Sequence, residues 1–180
     1  MNLDPQGQPS RESWVIGEFV VSSAVGNERE AAERVVAMVR QADTRPRSVG
    51  HPVDLLPARL EQLKTAVAEA VLNAMEHGNQ YRPGSSVRVS VIVSGEALVV
   101  RIADQGVGGP RPWRAGLHAA GLQAQEPDLA AKLAGEQPPR GWGLFLIAQM
   151  TDDVRILNCE GEHIVELLWY LDETGGNEGP

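Results

Sequence analysis

The chain has 180 residues, 42% of them hydrophobic and 22% charged, with a formal net charge of −8. That length buries one core without help from disulfides or metal, so a single globular domain is expected rather than a disordered chain. The acidic balance argues against general binding to nucleic acid or to an anionic membrane, since both need a basic face to displace counterions.

Cys159 is the only cysteine, which excludes an intramolecular disulfide framework and a thiolate metal cluster. Its place in an apolar run predicts a buried structural thiol. The opening stretch, MNLDPQGQPSRES, lacks the basic-then-apolar pattern of a secretory signal. No run approaches the ~18 apolar residues of a membrane span. On both counts a cytoplasmic protein is expected.

In chain order, residues 1–13 carry Pro, Gln, Gly and Ser without periodicity and are expected to form a disordered tail ahead of a domain over 14–171. Trp14 to Ser22 reads as a strand by its β-branched and aromatic content. Asn27-Glu28-Arg29-Glu30 resembles a capping box, with Asn27 as cap and Glu30 three positions on. The helix it opens has Ala32, Val35, Val36 and Val39 on its buried side and ends near Asp43. Prolines and a glycine make TRPRSVGHPVD a loop.

A second helix starts at Asp54 or Pro57 and runs through LKTAVAEAVLNAMEHGN, residues 63–79. At roughly 100° per residue, Leu60, Leu63, Val67, Ala70, Val71 and Ala74 share one apolar face. Glu69 and Asn73 point the other way and, four residues apart, are neighbours on the helix surface. Gly78, followed by Asn79, reads as the stop signal past a helix end. A Glu and an Asn on a helix surface are as often simply solvated, so their assignment to a site depends on the motifs downstream of this helix.

Ser86 to Ser94 and Ala97 to Ala103 form two strands around Ser94-Gly95-Glu96, an antiparallel hairpin. Val87, Val89, Val91 and Val93 alternate with Arg88 and Ser90, so one sheet face is core and the other wetter. From about Gly106 to Arg140 the chain is rich in Gly, Pro and Ala, with one short helix at Asp128 to Leu133. So long a segment between regular elements reads as a functional lid or an insertion. Trp142 to Met150 is a helix, Asp153 to Cys159 and His163 to Leu171 are strands, and 172–180 is a Gly-rich tail. Strands and helices fall in separate blocks, which predicts an α+β two-layer sandwich with a mixed or antiparallel sheet and its helices on one face.

Three short motifs carry chemistry. After the Glu69/Asn73 helix comes Asp104-Gln105-Gly106-Val107-Gly108-Gly109 at a strand end, where glycines let the backbone turn sharply and approach a ligand. Such a motif also occurs in plain turns; calcium is a poor fit, because acidic ligands at alternate positions are missing. The third is Arg140-Gly141-Trp142-Gly143-Leu144 at a helix entry. Exposed N–H groups and the helix dipole there favour phosphate, but no Gly-Lys-Ser or Gly-Lys-Thr follows, so it is not the common P-loop.

Glu69-x-x-x-Asn73, Asp104-x-Gly106-x-Gly108 and Gly141-x-Gly143, in that order and with a long lid before the last, resemble the GHKL (Bergerat-type) ATP-binding superfamily over roughly residues 14–171. The wording EAVLNAMEHG and GWGLFLI followed by DDV is similar to the bacterial anti-sigma factor serine/threonine kinases of partner-switching systems. The resemblance implies ATP and Mg2+ as cofactors, with Asn73 on Mg2+ through its amide oxygen and Glu69 as general base toward a substrate hydroxyl. It implies Asp104 on the adenine amino group, Gly106 and Gly108 close to the nucleotide, and Gly141, Trp142, Gly143 and Leu144 around the phosphates. His77 and Arg140 are further nucleotide-binding candidates, His77 being equally readable as a structural histidine.

The implied function is a protein serine/threonine kinase that phosphorylates a small antagonist (anti-anti-sigma) protein and regulates a sigma factor. A homodimer without direct contact to nucleic acid or membrane is implied as well. The other reading is a non-catalytic, ATP-dependent protein-binding regulator. A histidine kinase would need a phosphoacceptor on a dimerising helix pair, and none of His51, His77, His118 and His163 has that context. A gyrase-like ATPase would need a transducer domain for which the chain is too short.

Two departures stand out. His163 takes the last-strand position where relatives often carry a small hydroxyl that supports adenine through water, and Gly109 stands where an aromatic is common.

Overall fold

The computed structural model describes residues 13–43, 55–94, 97–106, 142–159 and 162–171. Residues 1–12 and 172–180 of the expected tails, the segment with Asp128 to Leu133, Gly108, Arg140, Gly141 and the side chains of Trp142 and Cys159 lie outside the described residues, while Ser13, expected in the tail, begins the first strand.

Strand β1 (Ser13–Ser22) is followed by helices α1 (Asn27–Asp43) and α2 (Pro57–Asn73), and α2 runs on into a π turn, Ala74–Gly78. Then come β2 (Ser86–Ser94), β3 (Ala97–Asp104), α3 (Trp142–Met150), β4 (Asp153–Cys159) and β5 (Glu162–Tyr170). The strands form one five-stranded sheet in the order β1-β2-β3-β5-β4. Every neighbouring pair is antiparallel, so of the two sheet types expected the antiparallel one is found. Ser94 faces Ala97 across the antiparallel β2–β3 pair, the hairpin expected around Ser94-Gly95-Glu96.

Those valines, with Leu98, Val100, Ile102, Val165, Leu167 and Trp169, form the inner sheet face. Ala32, Val35 and Val39 of α1, Leu63, Val67, Ala70 and Val71 of α2 and Ile147 of α3 pack against it in a single cluster. All three described helices therefore lie on one side, because each carries one apolar stripe and the sheet offers one apolar face. Burying a Leu or Val side chain in such a core stabilises by about 1.5–3 kcal/mol. The Trp169 indole is fully buried, and its Nε1–H donates to Met150 O at 2.9 Å, fixing the end of α3 against β5. Arg59 of α2 pairs with Asp152, which joins α2 to the turn between α3 and β4.

The outer face is only partly wet. Ser90 Oγ donates to Glu18, and Arg101 makes two bonds of 2.9 Å and 2.6 Å to one oxygen of Glu166. One row further along, Val99, Leu168 and Ala97 are buried in a small second cluster with Ile92.

Two local expectations are corrected. Asn27 does not work as the expected capping box with Glu30: its Nδ2 donates to Ser22 O at 3.0 Å and Ser22 Oγ at 2.8 Å. Glu28 is the residue that reaches back, accepting the Gly26 N–H at 2.8 Å. Nor is Gly78 a left-handed helix stop. It closes the π turn, where the helix ends, without a positive φ, and the non-glycine residues with positive φ among those described are Gln80 (52°) and Tyr81 (50°).

Candidate functional site

The Glu69/Asn73 face of α2 is partly covered, because the first turn of α3 packs across it. A β-carbon placed on Gly143 would stand 2.9 Å from Glu69 Oε2, 3.2 Å from Asn73 Nδ2 and 3.5 Å from Asn73 Oδ1. Glycine at 143 thus lets the α3 backbone approach both polar groups at once. Asn73 Nδ2 is buried and makes no hydrogen bond among the described residues. A buried amide end without a partner costs roughly 1–3 kcal/mol. A site that leaves one in place is shaped for something besides its own fold.

Glu69 is half-buried beside it. Burial pushes its carboxyl above the ordinary value of 4.5, and the negative charge of Glu28 adds to the shift. Both act in one direction, since desolvation and a like charge each disfavour the ionised form. Such a carboxylate is a better proton acceptor than an exposed one.

The second half of the site begins where the helix changes character. π turns insert an extra residue in each ring and recur at functional sites; this one brings Gly78 and Asn79 against the end of β3. A β-carbon on Gly78 would lie 2.5 Å and 2.6 Å from the two carboxylate oxygens of Asp104, an overlap that no rotamer change of a residue so enclosed relieves. Asp104 is 2% exposed. Its Oδ1 accepts the Gly106 N–H at 2.9 Å, closing a turn in which Gly106 has φ +49°. Its Oδ2 faces His163 Nδ1 at 3.1 Å, and His163 is itself 3% exposed and directly opposite Asp104 in the β3–β5 register.

Asn79 braces the same turn. It is fully buried, donates to Ser23 Oγ and Ser86 O at 2.8 Å each, and accepts the Gln105 N–H at 3.1 Å. In sequence this residue reads only as part of a helix stop. A buried Asn that satisfies three elements has no local pattern to betray it.

Of the residues singled out from sequence, Glu69, Asn73 and Gly143 come together at one end, and Asp104 and Gly106 at the other. The two ends are joined by the π turn, five residues from Asn73 to Gly78 or on the order of 7 Å along the axis. His77 is exposed one residue before Gly78, and Leu144 is half-buried against the core. Gly108, Arg140, Gly141 and the Trp142 side chain are outside the described residues.

A family model for the histidine kinase-like ATPase domain matches residues 28–169. Among curated proteins, the serine-protein kinase RsbW of Listeria monocytogenes serotype 4a (strain HCC23) is 27% identical over 118 residues, covering 63% of this chain and 68% of that protein. The anti-sigma F factor of Anoxybacillus flavithermus (strain DSM 21510 / WK1) is 30% identical over 116 residues, covering 64% and 72%. That of Geobacillus stearothermophilus is 41% identical over 51 residues, 28% of this chain and 35% of that one. The matched span runs from the first turn of α1 to β5 and includes both halves of the site, so this chain belongs to the histidine kinase-like ATPase domain family, an ATP-binding fold of the GHKL type.

Proposed function

We propose that the protein is an ATP- and Mg2+-dependent serine/threonine kinase of the anti-sigma factor type, which phosphorylates a small antagonist protein and regulates a sigma factor by partner switching. The observation that carries this reading is Glu69: a half-buried carboxylate with a raised pKa, next to Asn73 and under the first turn of α3. A carboxylate poised to accept a proton is what transfer to a hydroxyl needs and what nucleotide binding alone does not require.

In this reading Asp104 accepts a hydrogen bond from the adenine amino group, while the Gly106 turn lets the backbone approach the base. The N–H groups opening α3, around Gly141 to Leu144, take the phosphates, since a helix start offers unpaired donors and a favourable dipole. Asn73 supplies the one protein ligand for Mg2+. The donor fits: Mg2+ takes hard oxygen ligands, few of them from protein, and Asn73 presents an amide oxygen beside the Gly143 backbone. The ion, when bound, neutralises phosphate charge. Glu69 takes the proton from the serine or threonine hydroxyl of the partner. His77 and Arg140 remain candidates for phosphate contact from the rim. A homodimer acting in the cytoplasm without direct nucleic acid contact completes the reading.

The test is phosphotransfer from Mg-ATP to a candidate antagonist protein. Wild type is expected to transfer, and Glu69→Gln to bind nucleotide yet transfer about 10²–10⁴-fold more slowly. Equal rates would remove Glu69 as base. Tight ATP-dependent partner binding with no transfer by wild type would favour the non-catalytic regulator.

A further inference from the structure

The pairing of Asp104 with His163 goes beyond the family's pattern. The carboxylate is held on both sides: Gly106 N–H on Oδ1 at 2.9 Å and His163 Nδ1 on Oδ2 at 3.1 Å, with Gly78 pressed against it from the helix. A carboxylate oriented to accept from a base amino group also accepts from the ring, so in that arrangement Nδ1 is the donor. Both side chains are buried and sit opposite one another on adjacent strands, so neither has room to swing away. The orientation of the Asp104 carboxylate is therefore set jointly by the Gly106 turn and by the imidazole.

We infer that His163 is a positioning residue for the nucleobase, aiming the Asp104 carboxylate at an exocyclic amino group through a direct Nδ1–H bond. The inference rests on the reading that Asp104 receives the base. His163 touches the carboxylate and not the reacting phosphate. Its loss should weaken binding of an amino-bearing purine and leave the phosphate end intact.

The experiment compares Mg-ADP with the Mg complex of purine riboside diphosphate, which is the same ligand without the 6-amino group. Affinities are read by calorimetry on wild type, His163→Phe and His163→Asn. Phe keeps a planar ring without the donor; the Asn amide nitrogen falls near the position of Nδ1. Wild type is expected to prefer ADP, Phe to lose on the order of 10- to 100-fold in that preference, and Asn to recover most of it. The affinity for the analogue should barely move. Should the Phe variant fail to fold, the same readings on His163→Leu decide. Full preference for ADP in Phe or Leu overturns the role of His163 while leaving Asp104 as the base contact. Indifference of wild type to the amino group overturns the base reading, and the role of His163 with it. A kinetic readout separates aiming from folding: in phosphotransfer the KM for ATP should rise in the Phe variant, with kcat unchanged.

Discussion

Gly78 and Asp104 meet so closely that a β-carbon at position 78 would stand 2.5 Å and 2.6 Å from the carboxylate oxygens. Elsewhere in a helix, replacing Gly by Ala stabilises by up to about 1 kcal/mol. Here the sign should reverse. Gly78→Ala is expected to cost about 1–3 kcal/mol through overpacking and to abolish nucleotide binding, since the carboxylate must move. Urea unfolding and titration with a fluorescent ADP check both parts.

Asn79 ties the turn after β3 to the ends of β1 and β2. Asn79→Ala leaves the Gln105 N–H and the Ser86 carbonyl without their buried partner. A loss of about 2–3 kcal/mol is expected. Nucleotide affinity should drop with it, because the Asp104 to Gly106 turn loses its brace. A double-mutant cycle of Asn79→Ala with Asp104→Asn, read by ADP affinity, should show strong coupling.

The raised pKa of Glu69 has a stability consequence whose sign is fixed. A carboxyl whose folded-state pKa lies above its ordinary 4.5 is penalised in the folded state once it ionises. The penalty is absent below the ordinary value and complete above the raised one. Glu69→Gln should therefore be more stable than wild type at neutral pH, and the gap should close as pH falls toward 4.5. With Glu69 as the base proposed above, the acid limb of the wild-type phosphotransfer profile should lie above 4.5 and be missing from the residual activity of Glu69→Gln. Thermal melts and initial rates across pH measure the two.

The parts of this molecule that announce themselves in sequence are those set by near neighbours. Alternating valines in β2 and the apolar stripe of α2 follow from periods of two and 3.6 residues, and both turn out buried as the pattern requires. Glu69 and Asn73 can be paired for the same reason, and Asp104 stands out as an acid at a strand end before glycines. Gly78, Asn79 and His163 acquire their roles only through contacts with residues far along the chain. Gly78 reads as a helix stop because glycine is usually selected for its φ; here it is chosen for the space that Asp104 occupies. The chain after Asn79 turns through left-handed Gln80 and Tyr81, two residues that carry no such signal. His163 is recognisable as standing in a hydroxyl's place, but its direct bond to Asp104 depends on the β3–β5 register, which no single stretch encodes.

One adenine nucleotide bridging the Asp104 end and the Asn73 end of the same site is the claim on which the kinase reading most depends. Calorimetry with Mg-ADP on wild type, Asp104→Asn and Asn73→Ala tests this directly, with circular dichroism showing that all three are folded. Saturable binding by wild type and its loss at least tenfold in each variant is the predicted result. No heat from wild type at millimolar Mg-ADP, or undiminished binding in both variants, would contradict it.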